Sequence, residues 1–241
     1  MIVLGVDTSG KTLSVAVAKD RVILAEYTLA MGYRHSITFQ PTVDELLTRC
    51  DLTLQDVDLF AVAAGPGSFT GIRIGLSSVK AMAYAVGAKA IAVSSLEALA
   101  SSAGEGYSLI APMLDARGGR VFSTLLREGS PLMEEKPRPA DAWIEEVAKW
   151  VAPGEQMLLI GDGVSVIETA LHDAGKRLED LPFIVLVAPP HNSFIRASAV
   201  IGRALQMLDE KDVETDPFKL EARYTLSSSA ERMKPGGHGQ K

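Results

Sequence analysis

Two aspartates and a glycine turn are the residues of this chain best suited to chemistry. Asp7 ends the apolar run Ile2–Val6, and Asp115 ends the run Leu109–Leu114; in both cases a glycine follows three residues later and a new apolar stretch begins. Two strand-end carboxylates facing one cleft could hold a hydrated Mg²⁺ and orient a nucleophile. Each could equally cap its own turn, accepting from N–H groups two or three residues on. Between them, Gly65-Pro66-Gly67-Ser68 breaks the apolar run Phe60–Ala64. Such a turn aims backbone N–H groups and a helix N-terminus at an anion, with Gly65, Gly67 and Ser68 as contacts, or it only reverses the chain. No Gly-Lys-Ser/Thr and no third glycine at dinucleotide spacing accompany it, so it is neither a P-loop nor a dinucleotide fingerprint. Arg73, a turn further on, could meet an anion or a partner's carboxylate, or sit on a solvated face. His35 reads as a helix-start cap or surface group. His172, His191 and His238 are scattered, so no protein-only metal site and no Ser/His/Asp set is expected.

The elements that position these residues follow from periodicity. Ile2–Val6, Leu13–Val17 and Val22–Leu29 read as three strands whose short connections require an antiparallel meander. Residues 34–49 read as a helix with Ile37, Val43, Leu46 and Leu47 on one face, and Pro41 should kink it or mark its start. A strand at 60–64, a helix over 71–86, a strand at 89–93 and a short helix capped by Ser94 or Ser95, with Glu97 as capping partner, complete a βββ-α-β-α-β-α half. Ile72, Leu76, Val79, Met82 and Ala83 share one face of the second helix. The second half repeats the order imperfectly. Met157–Ile160 runs into Gly161-Asp162-Gly163 and a helix, as 61–64 runs into the first glycine turn. Pro131–Pro139 reads as a loop, 140–151 as a helix carrying Trp143 and Trp150 as packing aromatics, 183–187 as a strand, and 193–208 as a helix. Two related lobes are therefore expected, 1–104 and 105–225, hinged near Gly104-Glu105-Gly106, with 226–241 a disordered tail.

Composition bounds the function. The chain has 241 residues, 47% apolar and 22% charged, with a net charge of −6. That is a globular balance, and it argues against autonomous binding of nucleic acid, which needs a basic face. One cysteine, Cys50, excludes an internal disulfide and points to a reducing cytoplasm, where it reads as a small core residue. No leader or membrane-length apolar run is seen.

Four segments carry a family resemblance: I-V-L-G-V-D-T-S at the start, R-H-S at 34–36, A-A-G-P-G-S-F-T-G-I-R-I-G at 63–75 and L-D-A-R-G-G-R-V-F at 114–122. Together they resemble the TsaB (YeaZ) family, bacterial proteins required for threonylcarbamoyladenosine at position 37 of tRNAs reading A-starting codons. The resemblance is dense over the first half and diffuse to about Tyr224. It implies an α/β, actin-like and sugar-kinase-like ATPase fold of two ribonuclease-H-like lobes.

It also implies a non-catalytic role. The catalytic paralogue TsaD holds metal through His-x-x-x-His after the fifth strand, and Ser95 and Leu99 stand at those positions here. A hydroxyl and an isobutyl group cannot replace two imidazoles, so neither the transferase metal site nor the family's older protease label has ligands in this chain. The implied role is a scaffold that pairs with TsaD and recruits the ATPase TsaE. A separate synthase supplies threonylcarbamoyl-adenylate, and tRNA is met only indirectly. The implied pairing surface is the helices 34–50 and 71–86, with His35, Ile37, Val43, Leu47, Arg73, Gly75, Leu76, Val79 and Ala83 as its contacts. Homodimers are expected when the partner is missing. No cofactor is expected to belong to this chain; ATP or ADP at the interface of the complex stays open. The rival is a self-sufficient ATPase or small-molecule kinase of the same fold.

Overall fold

The computed structural model describes residues 1–30, 32, 34–104, 106–210 and 213–223. The presumed tail 226–241 and Glu105 of the presumed hinge lie outside the described residues. The first sheet is built from β1 (Ile2–Asp7), β2 (Leu13–Lys19), β3 (Val22–Leu29), β4 (Leu59–Ala63) and β5 (Lys89–Val93), with α1 (His35–Arg49), α2 (Phe69–Val86) and α3 (Ser95–Ser101) between and after them. Its order is β3-β2-β1-β4-β5; β1, β2 and β3 are antiparallel, and β1, β4 and β5 are parallel. The second sheet uses β6 (Leu109–Asp115), β7 (Arg120–Ser123), β8 (Leu126–Arg127), β9 (Ser130–Pro131), β10 (Lys136–Pro139), β11 (Gln156–Ile160) and β12 (Ile184–Val187), with α4 (Ala140–Val147), α5 (Val164–Asp173) and α6 (Ala197–Asp209). Its main path, β10-β7-β6-β11-β12, repeats the first sheet's order, and β8 with β9 forms a short flap against β6. The duplicated βββαβαβα topology is thus observed, and it makes this an α/β protein of the actin-like type with two ribonuclease-H-like lobes.

Three readings of the second half change. Residues 136–139 are a strand, not loop: Arg138 pairs with Val121 of β7, and its side chain turns into the protein. The helix with the tryptophans stops at Val147, so Trp143 is buried while Trp150 is 45% exposed. The last helix begins at Ala197 rather than 193, after a 3₁₀ turn at Pro190–Asn192. In the first half, Pro41 lies inside α1, six residues after its start. Cys50 is half-buried at the end of α1.

The packing is a stack of five layers. Phe39, Val43, Leu46 and Leu47 of α1, with Ile72, Val79 and Ala83 of α2, cover one face of the first sheet. The other face (Val3, Ala16, Ala61 and Ile91) packs on Val200, Ile201 and Ala204 of α6. Leu96 and Leu99 of α3 join that same cluster beside Leu158 and Ile160 of the second sheet. Trp143, Ile167 and Leu171 of α4 and α5 close the far side. So α6, which follows the second sheet in sequence, covers the first. Gly5 allows this, because a Cβ there would sit 2.6 Å from the carbonyl oxygen of Ala197. Polar contacts fix the docking. The Ala197 N–H donates to Ser14 Oγ at 2.9 Å, and the N–H and hydroxyl of Ser198 both donate to Glu26 Oε1 at 2.8 Å. A β3 carboxylate thereby satisfies donors at the α6 N-terminus, where the helix dipole favours negative charge. Residues 213–223 return to the first sheet, with the Ala90 N–H donating to the Thr215 carbonyl and the Arg223 N–H to that of Ala64.

Candidate functional site

The C-terminal end of the first sheet gathers most of the residues singled out above. Asp7 is fully buried, and its Oδ1 accepts the Ser9 N–H at 3.0 Å and the Ser9 hydroxyl at 2.6 Å. Of the two expectations for this aspartate, the turn cap is the one its hydrogen bonds make. The neighbouring Thr8 hydroxyl donates to the Gly71 carbonyl at 2.8 Å, which joins the end of β1 to the first turn of α2. Among the described residues, Asp7 Oδ2 is buried with no hydrogen-bond partner. Burial pushes this carboxyl up to about 6, against the lowering effect of the Ser9 bonds.

That shift fixes a sign. The folded chain keeps the Asp7 proton to higher pH than the unfolded chain does. Stability from this group is therefore greatest below about pH 4 and falls as pH rises to about 6, by up to about 3 kcal/mol. Asp7→Asn should raise the midpoint of thermal unfolding at pH 7, with the gain shrinking toward pH 4.5. A gain that is constant across that range would show that Asp7 is not held protonated by burial.

Two amides of the glycine turn and one of the α2 head donate within the chain. Gly65 N–H donates to Ser95 Oγ at 3.1 Å, Ser68 N–H to the Ser9 carbonyl at 2.7 Å, and Gly71 N–H to Ser68 Oγ at 3.3 Å. Ser95 N–H returns to the Gly65 carbonyl at 2.8 Å. These three amides are aimed at protein oxygens. Gly65 and Gly67 have φ of 109° and 153°, and a Cβ on Gly67 would fall on the Ser9 carbonyl. The Gly65–Pro66 peptide is cis. Ser95 is thus tied to the glycine turn, and Leu99, one turn further along α3, is buried between the sheets. Ser94 is the cap of α3, accepting from the N–H groups of Leu96 and Glu97; the Glu97 side chain goes to Arg203 of α6 at 2.7 Å rather than back to the cap.

Asp115 ends β6 in the second sheet. It is half-buried, and its Oδ1 accepts the Arg117 N–H at 2.7 Å, again a turn cap. Its own N–H donates to Asp162 Oδ1 at 3.0 Å, which ties the two glycine-bearing turns of the second lobe together. No hydrogen bond or ion pair joins Asp7 to Asp115 among the described residues.

The nine helix residues expected to meet a partner divide by face. Val43, Leu47, Leu76, Val79 and Ala83 are buried under α1 and α2 against their own sheet. They cannot contact another protein as the chain is folded. Gly75 is filled from within, since a Cβ there would strike Thr8 Oγ1 and stand 3.4 Å from Val62. His35 is buried with its Nε2 2.9 Å from the Gly10 carbonyl. Ile37 is 61% exposed, and Arg73 is exposed with its guanidinium 3.8 Å over the Phe69 ring. The outward face of α2 carries Arg73, Ser77, Ala81, Tyr84 and Ala85, and Tyr84 packs edge-on to Phe218 at 5.1 Å. Sequence reasoning missed Thr8, although Gly71 and Gly75, four residues apart on one helix, were the sign of a close approach. It also missed Glu135, which reaches Ser94 Oγ from the second lobe at 2.5 Å and carries no local motif. Among the described residues no three metal-ligating side chains stand together, and no helix is long and apolar enough to cross a membrane.

Comparison with known proteins agrees with this architecture. Residues 29–130 match the family model described as TsaD, tRNA N6-adenosine threonylcarbamoyltransferase. The tRNA threonylcarbamoyladenosine biosynthesis protein TsaB of Bacillus subtilis (strain 168) is 32% identical over 224 residues, covering 91% of this chain and 95% of that protein. The tRNA N6-adenosine threonylcarbamoyltransferase of Erythrobacter litoralis is 28% identical over 233 residues, covering 88% and 67%. A Pseudomonas aeruginosa protein with similarity to peptidase YEAZ shares the fold at a TM-score of 0.76 and 24% identity, covering 93% of this chain and 99% of that one. With a TsaB protein aligned over nearly its whole length, and the strand-end Asp7 and glycine turn placed as those segments require, the chain belongs to the TsaB family of tRNA threonylcarbamoyladenosine biosynthesis.

Proposed function

We propose that this chain is a non-catalytic scaffold for threonylcarbamoyl transfer to adenosine 37 of tRNAs reading A-starting codons. It pairs with TsaD through the outward faces of α1 and α2, and the pair recruits the ATPase TsaE in the cytoplasm. The observation that carries the reading is the split of α2. One side is consumed by its own sheet, while the other presents Ser77, Ala81 and Ala85 beside Tyr84, which is 67% exposed. Small side chains let a second helix come close, and an exposed aromatic beside them supplies an anchor. The same face serves a homodimer when the partner is missing. Two further features support the non-catalytic part: the Gly65 and Ser68 amides donate to protein oxygens, and Ser95 and Leu99 replace the paralogue's histidines. On this reading nucleotide belongs to the complex, with ATP or ADP at its interface rather than in this chain.

Ala81→Glu tests the surface. It should leave the thermal midpoint within a degree or two, yet abolish the heterodimer with TsaD on gel filtration. Transfer of labelled threonine to tRNA, in a mixture of synthase, TsaD, TsaE and this chain, should then fall to the level seen when the chain is omitted. A normal heterodimer would remove the α2 surface from the proposal. Label appearing without the chain at all would remove the scaffold role. Phosphate release from ATP by the isolated chain, lost in Asp7→Asn, would favour the ATPase reading instead.

A further inference from the structure

The five-layer stack brings one carboxylate across from the second lobe to the first. Glu135 lies in the short connection between β9 and β10, and it is four-fifths buried at its side chain, which is 21% exposed. Its Oε1 accepts the Ser94 hydroxyl at 2.5 Å, and its Oε2 faces Arg223 Nη1 at 3.9 Å. Both partners are joined to the glycine turn. Ser94 caps α3 and adjoins Ser95, whose hydroxyl and N–H bracket Gly65. Arg223 donates its backbone N–H to the Ala64 carbonyl, the residue just before that turn. Gly65 is also where a Cβ would stand 2.9 Å from the Arg223 carbonyl and 3.0 Å from Ile72 of α2. Three segments distant in sequence therefore meet at one turn: the β5–α3 corner, the returning 213–223 strap, and the head of α2.

We infer that Glu135 is a positioning residue, an interlobe latch through which the second lobe holds the glycine turn and the first turn of α2 in one setting. The bond to Ser94 is its main arm. The hydroxyl already accepts from the Leu96 and Glu97 amides, so donating to a carboxylate leaves it fully used and fixed in one rotamer. The Arg223 arm is longer and partly exposed, so it orients the carboxylate more than it holds the lobes. Glu97 faces the same carboxylate from α3 and opposes its charge, while Arg203 of α6 at 2.7 Å offsets Glu97. Burial among these groups raises the Glu135 carboxyl above its ordinary range, in line with a group enclosed by the two lobes. The inference is independent of which face pairs with TsaD.

Hydrogen exchange of the full chain, alone in solution, tests it. Glu135→Ala should speed exchange of the Gly65, Ser68, Ser95, Leu96 and Glu97 amides by roughly tenfold, the shift expected when one charge-assisted hydrogen bond is lost. Amides of α5, on the far side of the second sheet, should not change. Glu135→Gln keeps an oxygen for Ser94 and should restore most of the protection. Unchanged exchange at Gly65 and Ser95 in Glu135→Ala would overturn the inference. So would an equal rise in α5, which reports general loosening, or a Glu135→Gln chain as mobile as the alanine variant.

Discussion

Arg138→Ala should destabilise the chain by about 2–4 kcal/mol, the loss expected when a buried, multiply hydrogen-bonded guanidinium is removed. Arg138 is buried, with its guanidinium 2.6 and 3.1 Å from the two oxygens of Glu146 on α4. It also donates to the carbonyls of Ser123 and Glu134 at 3.1 and 3.0 Å. These bonds knit β7, the 134–136 turn and α4 around one side chain. Truncation leaves the buried Ser123 carbonyl without this donor, removes the packing of a buried side chain and takes the counter-charge from the half-buried Glu146, which is where the cost arises. The Arg138 bonds also hold the Glu146 carboxyl below its ordinary value. Glu146 therefore contributes stability at neutral pH that is lost as pH falls through that lowered value, and Glu146→Gln should remove this acid-side loss. Urea unfolding followed by tryptophan fluorescence is a direct measure, because Trp143 is buried on the same helix. The double change Arg138→Met with Glu146→Met should cost less than Arg138→Ala alone. If the single change costs under about 1 kcal/mol, the pair is not the clasp of this lobe.

Gly161→Ala should cost a comparable amount, about 3–5 kcal/mol, from two sources that add at one atom. The residue has φ of 114°, a conformation that penalises any L side chain. The new Cβ would also be driven onto the carbonyl of Met113, with Leu99 Cδ2 2.7 Å away, and backbone cannot step aside as a flexible side chain can. Gly71, inside the first turn of α2, isolates the second source: a Cβ there would strike the Thr8 carbonyl at an ordinary helical φ, so overpacking alone operates and Gly71→Ala should cost less than Gly161→Ala. Gly118→Ala is the control. Its φ is 62° with nothing within 4 Å of the added Cβ, so only about 1 kcal/mol of left-handed strain is expected. Denaturant midpoints should rank the three in that order. A Gly161→Ala chain as stable as Gly118→Ala would mean that the β6 end and the β11 turn are not pressed together.

How much of this was legible in the amino-acid order differs by residue for physical reasons. The duplication was legible because Asp7 and Asp115, and the turns at Gly65 and Gly161, are local patterns that any lobe of this type must repeat. The turn-cap alternative for both aspartates was legible too, since it needs only residues two positions apart. The face of α2 that stays outside was not. Periodicity places Leu76, Val79 and Ala83 on one side, but apolar residues sharing a side are buried by the chain's own sheet before any partner arrives. Gly75 was read as a partner contact, whereas Thr8 of the same chain packs against it. Strand β10 was hidden because its Pro137 and Pro139 suppress strand propensity; what makes it a strand is pairing with β7, which no local window contains. The placement of α6 on the first sheet, and of Glu135 on Ser94, depends on contacts between residues far apart in the chain.

The crossing of α6 over to the first sheet has a consequence for how the protein is made. All five strands of that sheet, and α1, α2 and α3, have been synthesised by residue 101. Yet the face bearing Val3, Ala16, Ala61 and Ile91 is covered only when Val200, Ile201 and Ala204 emerge, and its β5 edge is closed only by Thr215. For the whole interval in which the second sheet is being synthesised, a finished sheet waits with one apolar side bare. Chains stalled or truncated before about residue 210 should consequently be aggregation-prone and favoured clients of holding chaperones, even though the half that carries the family's densest sequence signature is already complete.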